Sequence, residues 1–340
     1  MDNKKVHVGE FVEIGFKLNN TGLLPVAYAE INCNIAEKLD QSNFPIEISF
    51  INPLQTINTR KKIRCRHRGY YYIGLLTVKI SDLFHLFEKE IIFDKKVQLE
   101  VYPRIIDFKS LHIPATEFFG SVMVYHKTHE DFTNIDNLRK YTSDDNIRKV
   151  HWKVSAKLND LFVKDYELSG STRINIFLDG CMESYRNDRE GEQEEKAVEV
   201  AASIIKYCLS KNLSTAFICQ WKERSYVTGH NLSKLSAFIQ ELMVFSPNGG
   251  TPLEHVLTAE SKVLPWGTTI AVITLFISDY LFKTFLQLKE KNFRIMVILI
   301  KHKRTAYTKE MIEIEEVLRN AGVHITKIDA DPYTPDTVEV

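Results

Sequence analysis

The second half of the chain alternates short apolar segments with amphipathic ones, and this alternation constrains the fold more than any other feature. Apolar residues recur at helical spacing between the apolar runs, beginning with Ala197, Val198 and Ala201. Continuous apolar strands separated by helices are typical of a parallel sheet that helices cover on both faces. The sequence therefore predicts a doubly wound α/β domain over residues 171–330, with a tail at 331–340. The strand-length apolar runs are 174–178, 215–219, 270–277, 295–300 and 323–328.

The first hundred residues follow a different pattern. Residues 11–18 alternate apolar and polar side chains, and Asn19-Asn20-Thr21-Gly22 has the composition of a turn. Short strands separated by Gly, Asn and Pro are typical of an antiparallel sandwich. We therefore predict an all-β, immunoglobulin-like sandwich at 1–104 and a connecting segment at 105–170 with at least one strand, at 161–166. Further strands of the sandwich are expected at 27–33, 46–51, 70–80, 89–93 and 97–102.

Composition excludes several classes of partner. The 340 residues carry 44 basic and 44 acidic side chains, which argues against bulk nucleic acid or an anionic membrane surface as the ligand. The five cysteines form no CxxC pair, and an odd number favours free thiols in a reducing compartment. The chain shows no signal peptide and no apolar stretch of membrane-spanning length, so we expect it to be soluble and cytoplasmic.

Two carboxylates follow strands of the predicted α/β sheet. Asp179 ends the first apolar run, and Asp279 closely follows the third. Because parallel strands end at the same edge of an open sheet, both should lie where such folds bind ligands. Each could instead cap the helix that follows, and Thr251, before Pro252, is also a natural cap. The edge is therefore the candidate site, with helix capping as the alternative role.

A family resemblance rests on a long motif in the connecting segment. Its residues resemble the signature of DUF58 proteins, bacterial proteins that combine a β-rich region with a von Willebrand factor A-like domain. The resemblance extends upstream into the β-rich region. The segments that match the family there are Arg68-Gly69-Tyr70-Tyr71, Asp82-Leu83-Phe84 and Val101-Tyr102-Pro103. The α/β domain is thus expected to be von Willebrand factor A-like and Rossmann-type. The motif residues are Leu138-Arg139-Lys140-Tyr141, Asp144-Asp145, Arg148, His151-Trp152-Lys153, Ser155-Ala156-Lys157, Val163-Lys164 and Tyr166-Glu167.

The resemblance implies a function and a setting. Two transmembrane helices usually precede the β-rich region in this family, so the chain is expected to be a fragment of a protein held at the cytoplasmic membrane face. Family members are commonly paired with MoxR-type AAA+ ATPases in assembly or chaperone-like work, with no established catalytic activity. We therefore expect a non-catalytic scaffold or adaptor whose α/β edge binds a protein partner.

The resemblance also implies a metal-ion-dependent adhesion site. In von Willebrand A domains, an aspartate, two hydroxyls, a threonine and a late aspartate hold Mg²⁺ through oxygen ligands. The matching positions here are Asp179, Cys181 and Glu183, Thr251, and Asp279. A thiol is a poor ligand for Mg²⁺, and Glu183 adds charge where a short neutral group belongs. We expect a degenerate site, either lost or altered toward Ca²⁺ or Mn²⁺.

The middle motif is expected to brace the two domains or to bind a partner. Its basic and aromatic residues would suit single-stranded nucleic acid, but the acidic residues among them favour internal ion pairs. The candidate residues are Arg139, Asp144, Asp145, Arg148, His151, Trp152, Lys153 and Lys157.

The alternative function is a metal-dependent or thiol-based enzyme using Asp179, Cys181, Glu183 and Asp279. A catalytic thiol needs a base within reach, and no motif links a histidine to Cys181. No glycine-rich phosphate loop is present either. The sequence therefore favours the scaffold over the enzyme.

Overall fold

The structure, a computed structural model, describes most of the chain and includes both predicted domains. The described residues are 4–36, 39, 45–82, 84, 86–107, 130–142, 150–168, 173–265, 267–302 and 309–330.

The N-terminal part consists of strands in two layers. A five-stranded sheet has the order β1-β7-β6-β3-β4, and β2 pairs antiparallel with β5. The strand-rich character predicted for residues 1–104 is therefore confirmed, while the immunoglobulin-like assignment stays a prediction. The strands are β1 (Lys4–His7), β2 (Phe11–Asn19), β3 (Val26–Cys33), β4 (Ile46–Ile51), β5 (Thr56–Arg64), β6 (Gly69–Ser81) and β7 (Glu88–Tyr102).

Alternation along β2 explains how the two layers meet. Val12, Ile14 and Phe16 are buried, and their neighbours along the strand are exposed. Because successive side chains of a strand point to opposite faces, this register directs one side of β2 onto the larger sheet. There it packs in one cluster with Ile31 of β3 and Leu99 of β7. The core of this part therefore lies between the two layers.

A ribbon and a short helix follow. Strand β8 (Glu130–Lys140) pairs antiparallel with β9 (Phe162–Leu168), and helix α1 (Trp152–Leu158) precedes β9. Ser155 of α1 accepts a 2.9 Å hydrogen bond from the backbone N–H of Phe162, which ties the helix to the ribbon. The strand predicted at 161–166 is confirmed as β9.

The C-terminal part is an α/β domain. Its six-stranded sheet has the order β12-β11-β10-β13-β14-β15, parallel throughout except for β12, which pairs antiparallel with β11 at the edge. The prediction of a largely parallel α/β sheet is confirmed. The elements are β10 (Ile174–Leu178), α2 (Glu192–Ser210), β11 (Thr215–Gln220), β12 (Arg224–Gly229), α3 (Leu235–Val244), α4 (Leu253–Glu260), β13 (Thr269–Thr274), α5 (Asp279–Glu290), β14 (Arg294–His302), α6 (Lys309–Asn320) and β15 (His324–Ala330).

Helices cover both faces of this sheet. Buried side chains of α2 and α3 pack on one face, and those of α4, α5 and α6 pack on the other. All five residues of β10 are buried, as expected for a central strand covered on two sides. The domain is therefore doubly wound. None of the helices in the described ranges has the length and apolar content that crossing a membrane requires.

A buried arginine joins the two parts. The Arg68 side chain, 2% exposed, donates from Nη1 to Glu195 Oε1 and from Nη2 to Glu194 Oε1, both at 2.7 Å. It also donates to the carbonyls of Leu242 and Phe245 at the end of α3, again at 2.7 Å. Arg68 thus binds the start of α2 and the end of α3 together and holds the strand-rich part against both.

Candidate functional site at the carboxyl edge of the sheet

The site lies where the order of the strands reverses. From β10 the chain crosses to β11 on one side, whereas β13 adjoins β10 on the other. The backbone N–H of Asp179 donates to the carbonyl of Ile273 at 3.0 Å, so the strand ends stay aligned at this edge. Open α/β sheets form their ligand crevices at such a point. The predicted placement of Asp179 at this edge is therefore correct.

The Asp179 carboxylate is buried and accepts three hydrogen bonds. Its side chain is 2% exposed. Oδ1 accepts from the backbone N–H of Cys181 at 3.0 Å, and Oδ2 accepts from Ser184 Oγ at 2.7 Å and Thr274 Oγ1 at 2.8 Å. Burial raises the pKa of this carboxyl, the three hydrogen bonds oppose that shift, and the charge of Glu254 adds to it. The carboxylate thus acts as an internal acceptor that joins two strand ends.

Three loops meet so tightly at this edge that two positions require glycine. The backbone N–H of Gly249 donates to the carbonyl of Gly180, and that of Met182 donates to the carbonyl of Gly249, both at 2.9 Å. A Cβ on Gly180 would lie 2.5 Å from the Gln220 carbonyl oxygen, and one on Gly249 would lie 2.8 Å from the Trp221 oxygen. Such contacts with backbone atoms leave no space for a side chain. The loops after β10 and β11 and the loop before α4 therefore form one closely packed unit.

The predicted metal ligands have different local partners in the structure. Glu183 is exposed and accepts a 3.1 Å hydrogen bond from Arg186. Asp279 is the first residue of α5, and Ser278 is the residue that caps this helix, accepting from the N–H of Leu281 at 3.0 Å. Within the described ranges, no cluster of three or more His, Cys, Asp or Glu side chains could hold a metal ion. The metal set of Asp179, Glu183, Thr251 and Asp279 includes a hydroxyl ligand and stays a prediction.

Two residues of the site escaped the sequence prediction. Ser184 lies one position beyond the expected hydroxyl position, which Glu183 occupies. Thr274 ends β13, where the apolar pattern predicted that the strand would continue to residue 277. Each of the two residues has a hydroxyl near the end of a strand. Serine and threonine are common at such positions, so the sequence alone could not single out Ser184 and Thr274.

The thiols are buried. Cys181 is 8% exposed, and all five cysteines are free and buried. Burial raises the pKa values of Cys208 and Cys219 well above the ordinary thiol value, so these two are protonated near neutral pH. A thiol nucleophile must be reachable by its substrate, and Cys181 offers little surface to one.

Part of the middle motif lies within the described residues, and several of its side chains there are exposed. His151 caps α1, since its Nδ1 accepts from the N–H of Val154 at 3.3 Å. Trp152 is 63% exposed, and Lys153 and Lys157 are also exposed. The interdomain or partner-binding role of the motif therefore stays a prediction, and the buried ion pairs described between the two parts are those of Arg68. Asp144, Asp145 and Arg148 lie outside the described residues, as does the side chain of Arg139.

The segments that follow β10 and β13 expose large apolar side chains. Met182, in the loop after β10, is 62% exposed, and Tyr280, in the first turn of α5, is 71% exposed. Phe276, between β13 and α5, is also exposed. We call these three residues the edge surface. Methionine and aromatic residues are enriched where proteins contact one another.

A pocket of about 610 Å³ adjoins the edge surface. The loop after β10, the ends of β13 and β14, the start of α2 and helix α6 line it. Sequence reasoning missed it, because segments more than a hundred residues apart in the chain form its walls.

Comparisons with known proteins agree with the resemblance. The family model described as "Protein of unknown function DUF58" matches residues 137–308. The uncharacterized protein YeaD of Bacillus subtilis (strain 168) is 23% identical over 230 residues, which cover 66% of this chain and 56% of that protein. The chain thus spans little more than half the length of this curated relative.

Two solved structures are similar to parts of this chain at a low level. The SpRpn10 VWA domain is 12% identical with a TM-score of 0.31, and the match covers 47% of this chain and 89% of that chain. Proximal thread matrix protein 1 from the mussel byssus is 15% identical with a TM-score of 0.29, over 45% of this chain and 43% of that chain.

Proposed function

We propose that this chain is a non-catalytic scaffold that presents the carboxyl edge of its α/β domain to a protein partner. The chain belongs to the DUF58 family, and the proposal starts from that membership. We also propose that the α/β domain is von Willebrand factor A-like and that the strand-rich part is immunoglobulin-like.

The edge surface is the observation that carries the proposal. Met182, Phe276 and Tyr280 expose large apolar side chains on the segments after β10 and β13, whereas the Asp179 carboxylate is buried and already accepts three hydrogen bonds. A reactive centre needs accessible groups, whereas a contact surface needs accessible apolar area. The edge has the second property, so binding suits it better than turnover.

The junction at Arg68 supports a scaffold. Four side-chain hydrogen bonds of 2.7 Å hold the strand-rich part against α2 and α3. A partner bound at the edge of the α/β sheet would therefore also be positioned relative to the strand-rich part. An adaptor protein has this property, because it holds domains and partners in a fixed relative geometry.

The partner we propose is a MoxR-type AAA+ ATPase, with the pair acting in assembly or chaperone-like work at the cytoplasmic membrane face. The family resemblance supports this choice of partner and place. The proposed contact uses apolar side chains and requires no metal.

Binding to surface-immobilised MoxR-type ATPase from the source organism, with ATP present, tests the proposal. Met182→Asp and Tyr280→Asp should each weaken binding at least about tenfold, because a charge at an apolar contact costs on the order of 1.4 kcal/mol or more. Val263→Asp is the matched control. Val263 is 83% exposed just beyond the far end of α4, so this change should leave affinity unaltered. Equal affinity of the edge variants and the wild type would refute the edge as the contact.

A further inference from the structure

Three loops lie at one end of the strand-rich part. They connect β2 to β3 at residues 20–25, β4 to β5 at 52–55 and β6 to β7 at 82–87. Residues that flank one loop pair with residues that flank another, so the three loops emerge side by side. We call the described residues of these loops the tip. The flanking pairs are Asn19 with Thr56, Val26 with Ile51 and Tyr28 with Ser81.

The tip exposes large apolar side chains on every loop. Six of them are between 70% and 86% exposed. In the part of the three loops that the structure describes, Asp82 is the only residue with a formal charge. Single exposed apolar residues are common on protein surfaces, whereas a group of them on adjoining loops marks a contact with a protein or a membrane. The six residues are Leu23, Leu24, Leu54, Phe84, Leu86 and Phe87.

Leu54 has a backbone conformation that leucine rarely adopts. Its φ of 59° lies in the left-handed region, where glycine and asparagine are favoured because other side chains crowd the backbone there. The residue belongs to a tight turn, in which the N–H of Gln55 donates to the carbonyl of Asn52 at 3.2 Å. Since Leu54 is also exposed, neither burial nor backbone preference favours leucine at this position in water. Strain held at an exposed apolar residue points to a role in binding.

Polar side chains of the tip bond to the backbone around them. Asn20 Nδ2 donates to three carbonyls at 2.9 to 3.3 Å. Gln55 Oε1 accepts from the N–H of Asn52 at 2.8 Å, and Asp82 Oδ1 accepts from two N–H groups at 3.0 Å. Backbone groups that enter a bilayer need partners within the protein, because acyl chains offer none. These internal bonds therefore suit contact with lipid. The carbonyls bonded to Asn20 are those of Leu24, Ile51 and Asn52, and the N–H groups bonded to Asp82 are those of Phe84 and Leu86.

Charged side chains begin on the strands directly behind the tip, and both signs occur there. Lys17 and Lys79 are exposed two residues before the ends of β2 and β6. Glu88, Lys89 and Glu90 are exposed at the start of β7. A phospholipid layer has the same order, with uncharged acyl chains inside and headgroups of phosphate and ammonium outside. The charges of this end of the protein therefore complement those of a bilayer surface.

From this geometry we infer that the tip inserts into the surface of a lipid bilayer, with its leucine and phenylalanine side chains among the acyl chains and the charged ring behind them at the headgroups. Burial of apolar area drives the insertion, since the charges of the ring nearly balance. The tip belongs to the strand-rich part and shares no residue with the edge surface of the α/β domain. The inference is therefore independent of the proposed ATPase contact.

Cosedimentation of the chain with phosphatidylcholine vesicles tests the inference, because these lipids carry no net charge and report insertion rather than electrostatic attraction. The wild type should bind, and Phe84→Ser should weaken partitioning at least about tenfold, the effect of removing one buried aromatic side chain. Phe11→Ser is the matched control. Phe11 is also exposed and lies at the start of β2, the end of that strand away from the tip, so this change should leave partitioning unaltered. Met182→Asp should also bind vesicles as the wild type does, which separates this surface from the edge contact.

Leu54→Asn distinguishes a binding role from a structural one. Asparagine tolerates a φ of 59° better than leucine does, so this variant should unfold at a higher temperature and yet partition at least about tenfold less into vesicles. Equal or stronger partitioning of Leu54→Asn would contradict the inference.

The depth of insertion supplies a further readout. The added fluorescence of Phe87→Trp should be quenched by phosphatidylcholine with brominated acyl chains, and that of Phe11→Trp should not. Absence of vesicle binding, equal partitioning of Phe84→Ser and Phe11→Ser, or no quenching of Phe87→Trp would each overturn the inference. A lipid-free dimer that Phe84→Ser dissociates would assign the tip to a second copy of the chain and overturn it as well.

Discussion

Thr274 Oγ1 donates a 2.8 Å hydrogen bond to Asp179 Oδ2, so the ends of two neighbouring parallel strands are joined through the very carboxylate that the sequence predicts to face a ligand. The same hydroxyl lies 3.1 Å from the carbonyl of Phe276. Asp179 is 2% exposed where these two strand ends meet. The edge of the sheet is therefore closed by polar contacts from within the protein.

Thr274→Val should destabilise the protein by about 1–3 kcal/mol, because it leaves a buried carboxylate oxygen with one donor fewer. Valine has nearly the same shape, so the loss reports the hydrogen bond and not the packing. Urea unfolding followed by tryptophan fluorescence measures the change. Thr258→Val is the control, since the Thr258 hydroxyl bonds the carbonyl of Glu254 on an exposed helix face. Equal losses in the two variants would contradict the role assigned to Thr274.

Asp179→Asn should change how stability depends on pH. Burial raises the folded-state pKa of Asp179 above its ordinary value of 3.8, so the folded protein holds the proton to higher pH than the unfolded chain does. Stability from this group is therefore present below the ordinary pKa and is lost as pH rises through the raised folded value. Asparagine does not titrate, and its hydroxyl partners Ser184 and Thr274 can turn to accept from it.

Denaturant unfolding of Asp179→Asn and the wild type from about pH 4 to about pH 8 checks this prediction. The difference in unfolding free energy should move in favour of the asparagine variant as pH rises. A difference that stays constant across this range would show that Asp179 keeps an ordinary pKa.

Much of the fold could be predicted from the sequence, because buried and exposed positions alternate with a period that the hydrophobic pattern shows. Residues 174–178 form a continuous apolar run, and β10 occupies those residues with every side chain buried. The alternation in 11–18 likewise predicted a strand with one buried face, and β2 has it. These patterns depend only on local periodicity, which one sequence contains in full.

The site was predictable in position and not in detail. Topology alone places Asp179 at the carboxyl edge, because parallel strands end together. Whether its carboxylate faces solvent depends on Ser184 and Thr274, one of which is 95 residues away in the chain. The role of Arg68 depends on acceptors 126 to 177 residues away. Such pairings leave no periodic signal, so only coordinates reveal them.

Gly249→Ala should be strongly destabilising and Gly250→Ala close to neutral. A Cβ at Gly249 would lie 2.8 Å from the backbone oxygens of Gly180 and Trp221, whereas one at Gly250 would meet nothing within 4 Å. Backbone atoms cannot yield as a flexible side chain can, so we expect a loss of about 2 kcal/mol or more at Gly249. Thermal unfolding of both variants measures the contrast. A stable Gly249→Ala protein would mean that the three loops pack less closely than described.

Arg68→Met should cost about 3 kcal/mol of stability or more. Methionine fills a similar volume without a charge, so Glu194 and Glu195 would lose the cation that neutralises them, and the carbonyls of Leu242 and Phe245 would each lose a donor. Arg68→Lys should lose less than Arg68→Met, since lysine keeps the charge but cannot reach four acceptors in different directions.

The matched control for Arg68 is Arg186→Met, which removes an arginine whose ion pair with Glu183 is exposed to solvent. Exposed pairs contribute from about 0 to 1 kcal/mol, so this change should be nearly silent in urea unfolding. Loss of the Arg68 bonds should also let the two parts of the chain separate, which small-angle X-ray scattering would record as a larger radius of gyration at the same folded content. If Arg68→Met and Arg186→Met proved equally stable and equally compact, the junction would have to depend on the apolar contacts of Tyr102, Ile105 and Ile106 with the α/β core, and not on the buried arginine.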